Sequence, residues 1–348
     1  MIRRVLNLVV ENSSTGVHSV RRIDPYKHLF YGSADEAAAA NANKGMVDGA
    51  AGMQTLVLPD PAVSFAPSPA SLPHMAGLDL FALLGTRGSE GRIVSANVAG
   101  ESVLYDADER LFLSLPWLKE PKGFRPVCIS VAQPGAPEDS LYAMESMHQH
   151  RSSEGHDQAG SCFEVLEYGP THGGEEVWDM HPGWHWRALP QPPFIVRPGN
   201  KSSYITSYAT TVNANGCSTI YMSWEGSGIG TYCFDTSRHV EEWRYVGDWT
   251  LPFDLWFGFS AHSPKFHLCA LDLSAMAQDQ QQPVVQHVFE DLNTPRPTEE
   301  DWGLMTAELV ILGDGKFCIV RGDDGGLHMV RHKCTCYYFV KDVIKCVL

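Results

Sequence analysis

Gly230-Thr231-Tyr232-Cys233-Phe234-Asp235, followed by Trp243 and then Leu251-Pro252-Phe253, is the stretch that decides the reading of this chain. A run of β-forming residues ends in an aspartate, and after a short gap come a tryptophan and a Leu-Pro pair. Aromatic and β-branched residues fit a pleated, half-buried strand. An aspartate at its end bonds the backbone of the turn.

The same order recurs along the chain. Strand endings read Val20-Arg21-Arg22-Ile23-Asp24, Val103-Leu104-Tyr105-Asp106, Val165-Leu166-Glu167-Tyr168, Leu268-Cys269-Ala270-Leu271-Asp272 and, more weakly, Leu327-His328-Met329-Val330-Arg331. Leu-Pro closures stand at Leu58-Pro59, Leu115-Pro116, Leu189-Pro190 and Leu251-Pro252, with Trp186 and Trp243 ahead of two of them. The pattern matches the outer half of a kelch blade. A four-stranded blade cannot bury both faces alone, so its aromatic and leucine side chains fill the space between neighbours. The endings predict an all-β chain: a β-propeller of about six kelch-like blades. The intervals between endings are 82, 62, 67, 37 and 59 residues, against about 50 for a kelch repeat. Long intervals call for insertions, expected at 34–53 and 144–160 as flexible segments within one domain spanning 1–348. The competing arrangement is a β-sandwich or several unrelated β units; repetition favours the propeller.

Strands are expected at Val5–Val10, Arg92–Val98, Ser102–Tyr105, Val127–Val131, Cys162–Tyr168, Tyr204–Val212, Thr219–Trp224 and Gly230–Phe234. Further strands are expected at Leu255–Phe259, His267–Leu273, Val284–Phe289, Glu308–Leu312 and Phe317–Arg321. Ala34–Asn43 is the one stretch rich in helix formers, and its low complexity fits an insert.

With 44% apolar and 19% charged residues, a large core can form. Gly 31 and Pro 22 supply many turns. The net charge of −15, from 41 acidic and 26 basic residues without a basic cluster, disfavours nucleic acid as a partner. Nine cysteines without repeated spacing read as reduced, mostly buried thiols of a cytoplasmic or nuclear protein. The apolar patch Val5–Val10 is interrupted by Asn7 and is too short for a secretory h-region, so secretion is not expected. No stretch reaches the ~20 apolar residues of a membrane helix.

Several segments resemble a known family. They are Arg3-Arg4-Val5-Leu6-Asn7-Leu8-Val9-Val10, Arg21-Arg22-Ile23-Asp24-Pro25, Gly230 to Thr236, Gly247-Asp248-Trp249, Leu255 to Ser260 and Gly315-Lys316-Phe317-Cys318-Ile319. Together they resemble a plant family expanded in grasses, a domain of unknown function similar in layout to kelch and F-box-associated propellers. The resemblance implies a propeller and carries over no activity. Two departures stand out: Phe253 is followed almost at once by Leu255, and Arg321 runs through Gly322 to Gly326 straight into Leu327. They imply a trimmed member with one or two incomplete blades.

Candidate chemistry is sparse. His328, His332, Cys334 and Cys336 are zinc-type ligands that alternation would place on one face of a strand. Cys-x-Cys is tighter than a zinc knuckle, so an ordinary edge strand is the default reading and no cofactor is expected. His181-Pro182-Gly183-Trp184-His185 cannot be a helical His pair, because Pro182 and Gly183 break the helix. No nucleophile elbow occurs. The acid pairs Glu175-Glu176, Glu241-Glu242 and Glu299-Glu300 read as solvated loops, and the tryptophans as packing between blades. The expected function is a non-catalytic protein-interaction module with another protein as partner. The alternatives are an enzyme or small-ligand binder at the propeller channel, and a diverged copy with little activity.

Overall fold

The computed structural model describes residues 4–12, 14–24, 58–66, 80–85, 90–123, 126–148, 162–170, 182–194, 203–213, 215–225, 230–237 and 241–247. Beyond these it describes the backbone of strands at 257–259, 268–272, 284–289, 304–313, 316–323 and 344–347. Among the described residues there are twenty-two strands, no helix, and six antiparallel sheets. The insertion at 34–53, the helix candidate within it, and His328, His332, Cys334 and Cys336 lie outside the described residues. Two compact units divide the chain: 1–77 with 296–348, and 78–295.

Neighbouring strands are antiparallel in every sheet, and most of them are consecutive in the chain. In the first unit, sheet I joins β1 (Leu6–Glu11), β2 (His18–Ile23) and β3 (Val63–Phe65) to the last strand of the chain, β22 (Ile344–Val347), in the order β22-β1-β2-β3. Sheet VI pairs β20 (Leu304–Gly313) with β21 (Lys316–Asp323).

The second unit holds the other four. Sheet II is β4 (Leu80–Leu83), β5 (Arg92–Ala96), β6 (Ser102–Asp106) and β7 (Leu111–Leu115). Sheet III is β8 (Val127–Val131), β9 (Ser140–Met144), β11 (Phe163–Pro170) and β12 (Pro182–Ala188). Sheet IV is β13 (Ser203–Val212), β14 (Ser218–Glu225), β15 (Gly230–Asp235) and β16 (Trp243–Gly247), with the two-residue β10 (Met147–His148) on the edge beside β13. Sheet V is β17 (Phe257–Phe259), β18 (Leu268–Asp272) and β19 (Val284–Phe289). The segment expected as an insertion at 144–160 thus starts inside the fold: Met144 ends β9 fully buried, and β10 pairs with β13.

The packing of sheet III separates this fold from a two-layer sandwich, where one face of each sheet meets water. Strand residues alternate between faces. On one face of sheet III, Ile129, Val131, Tyr142, Met144, Phe163 and Val165 pack against Ile220, Met222, Trp224, Tyr232 and Phe234 of sheet IV. On its other face, Leu141, Ala143, Leu166 and Trp186 pack against Leu80, Ala82, Val94, Ala96 and Leu104 of sheet II. All five residues of β9 are buried. A strand covered on both sides needs apolar residues in succession rather than in alternation; Leu141-Tyr142-Ala143-Met144 is such a run. Sheets II, III and IV are therefore layers of one stack.

Aromatic rings fill the III–IV layer. Phe163 meets Phe234 edge-on at 5.1 Å and Trp243 at 5.4 Å, and Trp224 meets Trp243 at 5.8 Å. The Trp243 indole donates to Pro190 O at 2.8 Å, tying the outer strand of sheet IV to the Leu-Pro closure of sheet III. Tryptophan thus packs between layers at 186 and 243, as expected.

In sheet I, β22 pairs with β1 from Asn7↔Val347 to Val10↔Ile344, and β1 is buried along its whole length. A chain ending before Ile344 loses this ladder and turns β1 into an edge, which invites pairing with other chains. The expected result is a lower thermal midpoint and concentration-dependent association in sedimentation velocity. An unchanged midpoint with monodisperse sedimentation contradicts the pairing.

Candidate functional site

The segment that joins sheets II and III is pinned by a buried charge. Gly100 adopts φ +87°, open to glycine, and a Cβ there would lie 2.9 Å from Leu118 O. That close approach lets Leu118 N donate to Gly100 O at 2.8 Å. Ser102 Oγ donates to Pro116 O at 2.6 Å and accepts from Trp186 Nε1 at 3.2 Å. Beyond Leu118, the Glu164 carboxylate of β11 accepts the N–H groups of Lys119 and Glu120 at 3.0 and 3.1 Å, and Lys122 Nζ also donates to it. Lys122 and Glu164 are 1% and 0% exposed. Ion and hydrogen bonds satisfy one another there, away from water. An acid inside the apolar run Phe163-Glu164-Val165-Leu166 is the sequence signal of this lock; no sequence feature names Lys122 as its partner.

A second polar cluster closes the outer rim between sheets III and IV. Arg187 of β12 forks onto Glu241 at 2.7 and 2.6 Å and donates Nε to Glu167 Oε1 at 2.8 Å. His185 Nε2 lies 3.3 Å from the same Glu167 oxygen. Bonding to Glu241, then to Glu167, holds Arg187 firmly charged. Burial, with the Glu241 and Glu167 carboxylates nearby, pushes the Tyr142 hydroxyl well above the usual phenol range. Glu241 is thus an ion-pair partner, where the sequence reads as a solvated loop. Its partner lies 54 residues away in the chain. His185 faces Glu167 from a strand, in accord with Pro182 and Gly183 breaking any helix.

The rim between sheets II and III is closed differently. Arg92 pairs with Glu138 at 2.5 Å and lies over the Trp184 ring at 5.6 Å. On β7, residues 111, 113 and 115 share the face toward sheet III, because Leu113 stands opposite Leu104 and Leu115 opposite Ser102. Leu115 is buried in the layer, but Leu113 is 48% and Leu111 62% exposed. Trp117, just past the Leu115-Pro116 closure, is 63% exposed. Phe112, on the opposite face, leans on Tyr105 at 4.9 Å and is also largely exposed. Among the described residues the sheet order ends at β7. At the corresponding rim of sheet III stand Arg187 and His185, engaged by carboxylates. Sheet II instead presents leucine to water. This exposed apolar edge is the candidate functional site.

Among the described residues no group of three or more His, Cys, Asp or Glu is placed to hold a metal ion, and no helix is long and apolar enough to cross a membrane. Cys128, Cys162, Cys217 and Cys233 are free thiols. Burial pushes Cys128 and Cys162 from 9.0 up to about 12. Such a thiol stays protonated in the fold when the unfolded chain has already released its proton. Its contribution to stability is complete below pH 9.0 and is lost as the pH rises from there toward 12. Unfolding midpoints are therefore expected to fall above about pH 9, and an aromatic disulfide reagent below that pH should label the partly exposed Cys217 well before the buried Cys162. Equal labelling rates, read by peptide mass mapping, contradict the burial.

With sheet III covered on both faces by sheets II and IV, the described residues form an all-β protein of antiparallel, blade-like sheets. The chain belongs to the DUF1668 family, described as a protein of unknown function, which it matches over residues 3–338. No curated protein matches it.

Proposed function

We propose that the chain is a non-catalytic protein-interaction module built on a kelch-like β-propeller, with the six sheets as its blades. The stack of sheets II, III and IV supports the blade reading, since propeller blades bury both faces against neighbours. Pairing of β22 with β1 supports ring closure, because strands distant in sequence share one sheet. Sheets V and VI, with three and two strands among the described residues, fit the trimmed blades inferred from the short intervals.

The observation that carries the interaction reading is the exposed apolar edge of β7 with Trp117. Large contiguous apolar surface in water marks interaction sites. Propellers present such surfaces on a rigid frame. The partner is another protein, in the cytoplasm or nucleus, where buried thiols stay reduced.

Affinity capture of the tagged chain from its native tissue, with an unrelated tagged propeller as control, tests the reading. A stoichiometric protein partner absent from the control is expected. Nothing above the control overturns the reading.

A further inference from the structure

The apolar edge carries more than exposure: it is a strand edge of defined register beside acidic turns. Among the described residues β7 is the last strand of its sheet, and its side chains alternate between Leu111 and Leu113 on one face and Phe112 and Ser114 on the other. A strand edge offers a row of backbone donors and acceptors as a template for another chain. Natural edges are protected by charge, proline or a bulge. From Leu111 to Leu115, β7 carries none of these, and its pairing with β6 runs without a register shift.

Charge lies at its ends instead. The turn into β7 holds Asp106, Asp108, Glu109 and Arg110, and the segment beyond it holds Lys119 and Glu120, with Glu101 beside the Gly100–Leu118 bond. Asp106 Oδ1 accepts the N–H groups of Asp108 and Glu109 at 3.0 and 3.1 Å, which fixes the turn and its acids next to the strand. Acids outnumber bases at both ends, and the whole chain carries −15. A second copy of this chain brings the same negative field and is repelled. A basic segment is attracted.

We propose that β7 receives an extended, basic segment of a partner protein as an added antiparallel strand. Alternate apolar side chains of that segment rest on Leu111 and Leu113, and its lysines or arginines face Glu109 and Glu101. The proposal rests on the interaction-module reading and names the surface and the chemistry of its partner.

The test uses the full chain and three short peptides of equal length: alternating Lys/Val, its Glu/Val counterpart, and Lys/Pro, which has the same charge but cannot join a ladder. Binding is followed by fluorescence anisotropy, and amide exchange maps the site. The expected result is binding of Lys/Val alone, with protection of the amides of Leu111–Leu115. In the variant Leu111→Lys/Leu113→Lys this affinity falls at least about tenfold, because like charges then meet along the ladder. Both leucines are largely exposed, so the variant keeps its core. Four outcomes overturn the proposal: no binding of Lys/Val, equal binding of Lys/Pro, protection elsewhere than β7, or an unchanged affinity in the variant. Sedimentation that shows dimers lost in the variant assigns β7 to a second copy and also overturns it. Partner capture from tissue that persists at full stoichiometry in the variant leaves the interaction reading standing while the β7 assignment falls. Capture that fails in the parent chain ends the reading itself.

Discussion

Replacing Lys122 with methionine is expected to destabilise the second unit by about 3–5 kcal/mol, since removing one partner of a buried ion pair leaves the other charge uncompensated. Glu164 is fully buried and also accepts two backbone N–H groups, so it cannot turn outward without releasing the segment that joins sheets II and III. Methionine matches the lysine stem in length, which makes charge the main change. The control is Lys119→Met: its exposed side chain should move stability by no more than about 0.5 kcal/mol. Adding Glu164→Leu to Lys122→Met should restore only part of the loss, because the N–H groups of Lys119 and Glu120 then lack their acceptor. Calorimetric unfolding of the four proteins decides the matter. Equal midpoints for Lys122→Met and Lys119→Met show that the lock does not hold the unit.

The second large effect is expected at Phe234→Ala, again about 3–5 kcal/mol, from lost burial and the cavity left between sheets III and IV. Phe234 is fully buried and touches Phe163 at 5.1 Å, Trp243 at 5.1 Å and Tyr142 at 6.4 Å. Phe163 belongs to the neighbouring sheet, so the pair reports on layer packing and not on one hairpin. A double-mutant cycle of Phe163→Leu and Phe234→Leu should return a coupling of about 0.5–1.5 kcal/mol. Strict additivity argues that the two sheets do not stack through this contact.

Both effects are set by pairs distant in sequence, which bears on what could be read from the chain alone. Strands such as β8 (Val127–Val131) and β19 (Val284–Phe289) fall where composition places them, because β-branched residues between turn formers leave little choice. The aspartates at 106, 235 and 272 end or close strands as expected, although β11 continues past Tyr168 to Pro170. Strands β4, β7, β9, β12 and β16 are not evident from the sequence. Leu-Tyr-Ala-Met in β9 contains weak β formers, β12 opens on Pro182-Gly183, and β7 has leucine in place of branched residues. Short apolar runs of this kind are ambiguous by periodicity. Their pairing in a sheet settles them.

The apolar edge of β7 illustrates the same limit. Leu111-Phe112-Leu113 reads like any core strand, and its exposure follows from its place at the end of a sheet order. Likewise Glu241 acquires its role only when β12 and β16 bring it to Arg187. By itself, then, the sequence determined that the chain is all-β and where many of its strands lie. Those properties follow from local backbone preference and turn chemistry. Tertiary structure alone decided which sheets stack, which charges are buried together and which strand meets water. These depend on contacts made across many tens of residues, and no local preference encodes the partner.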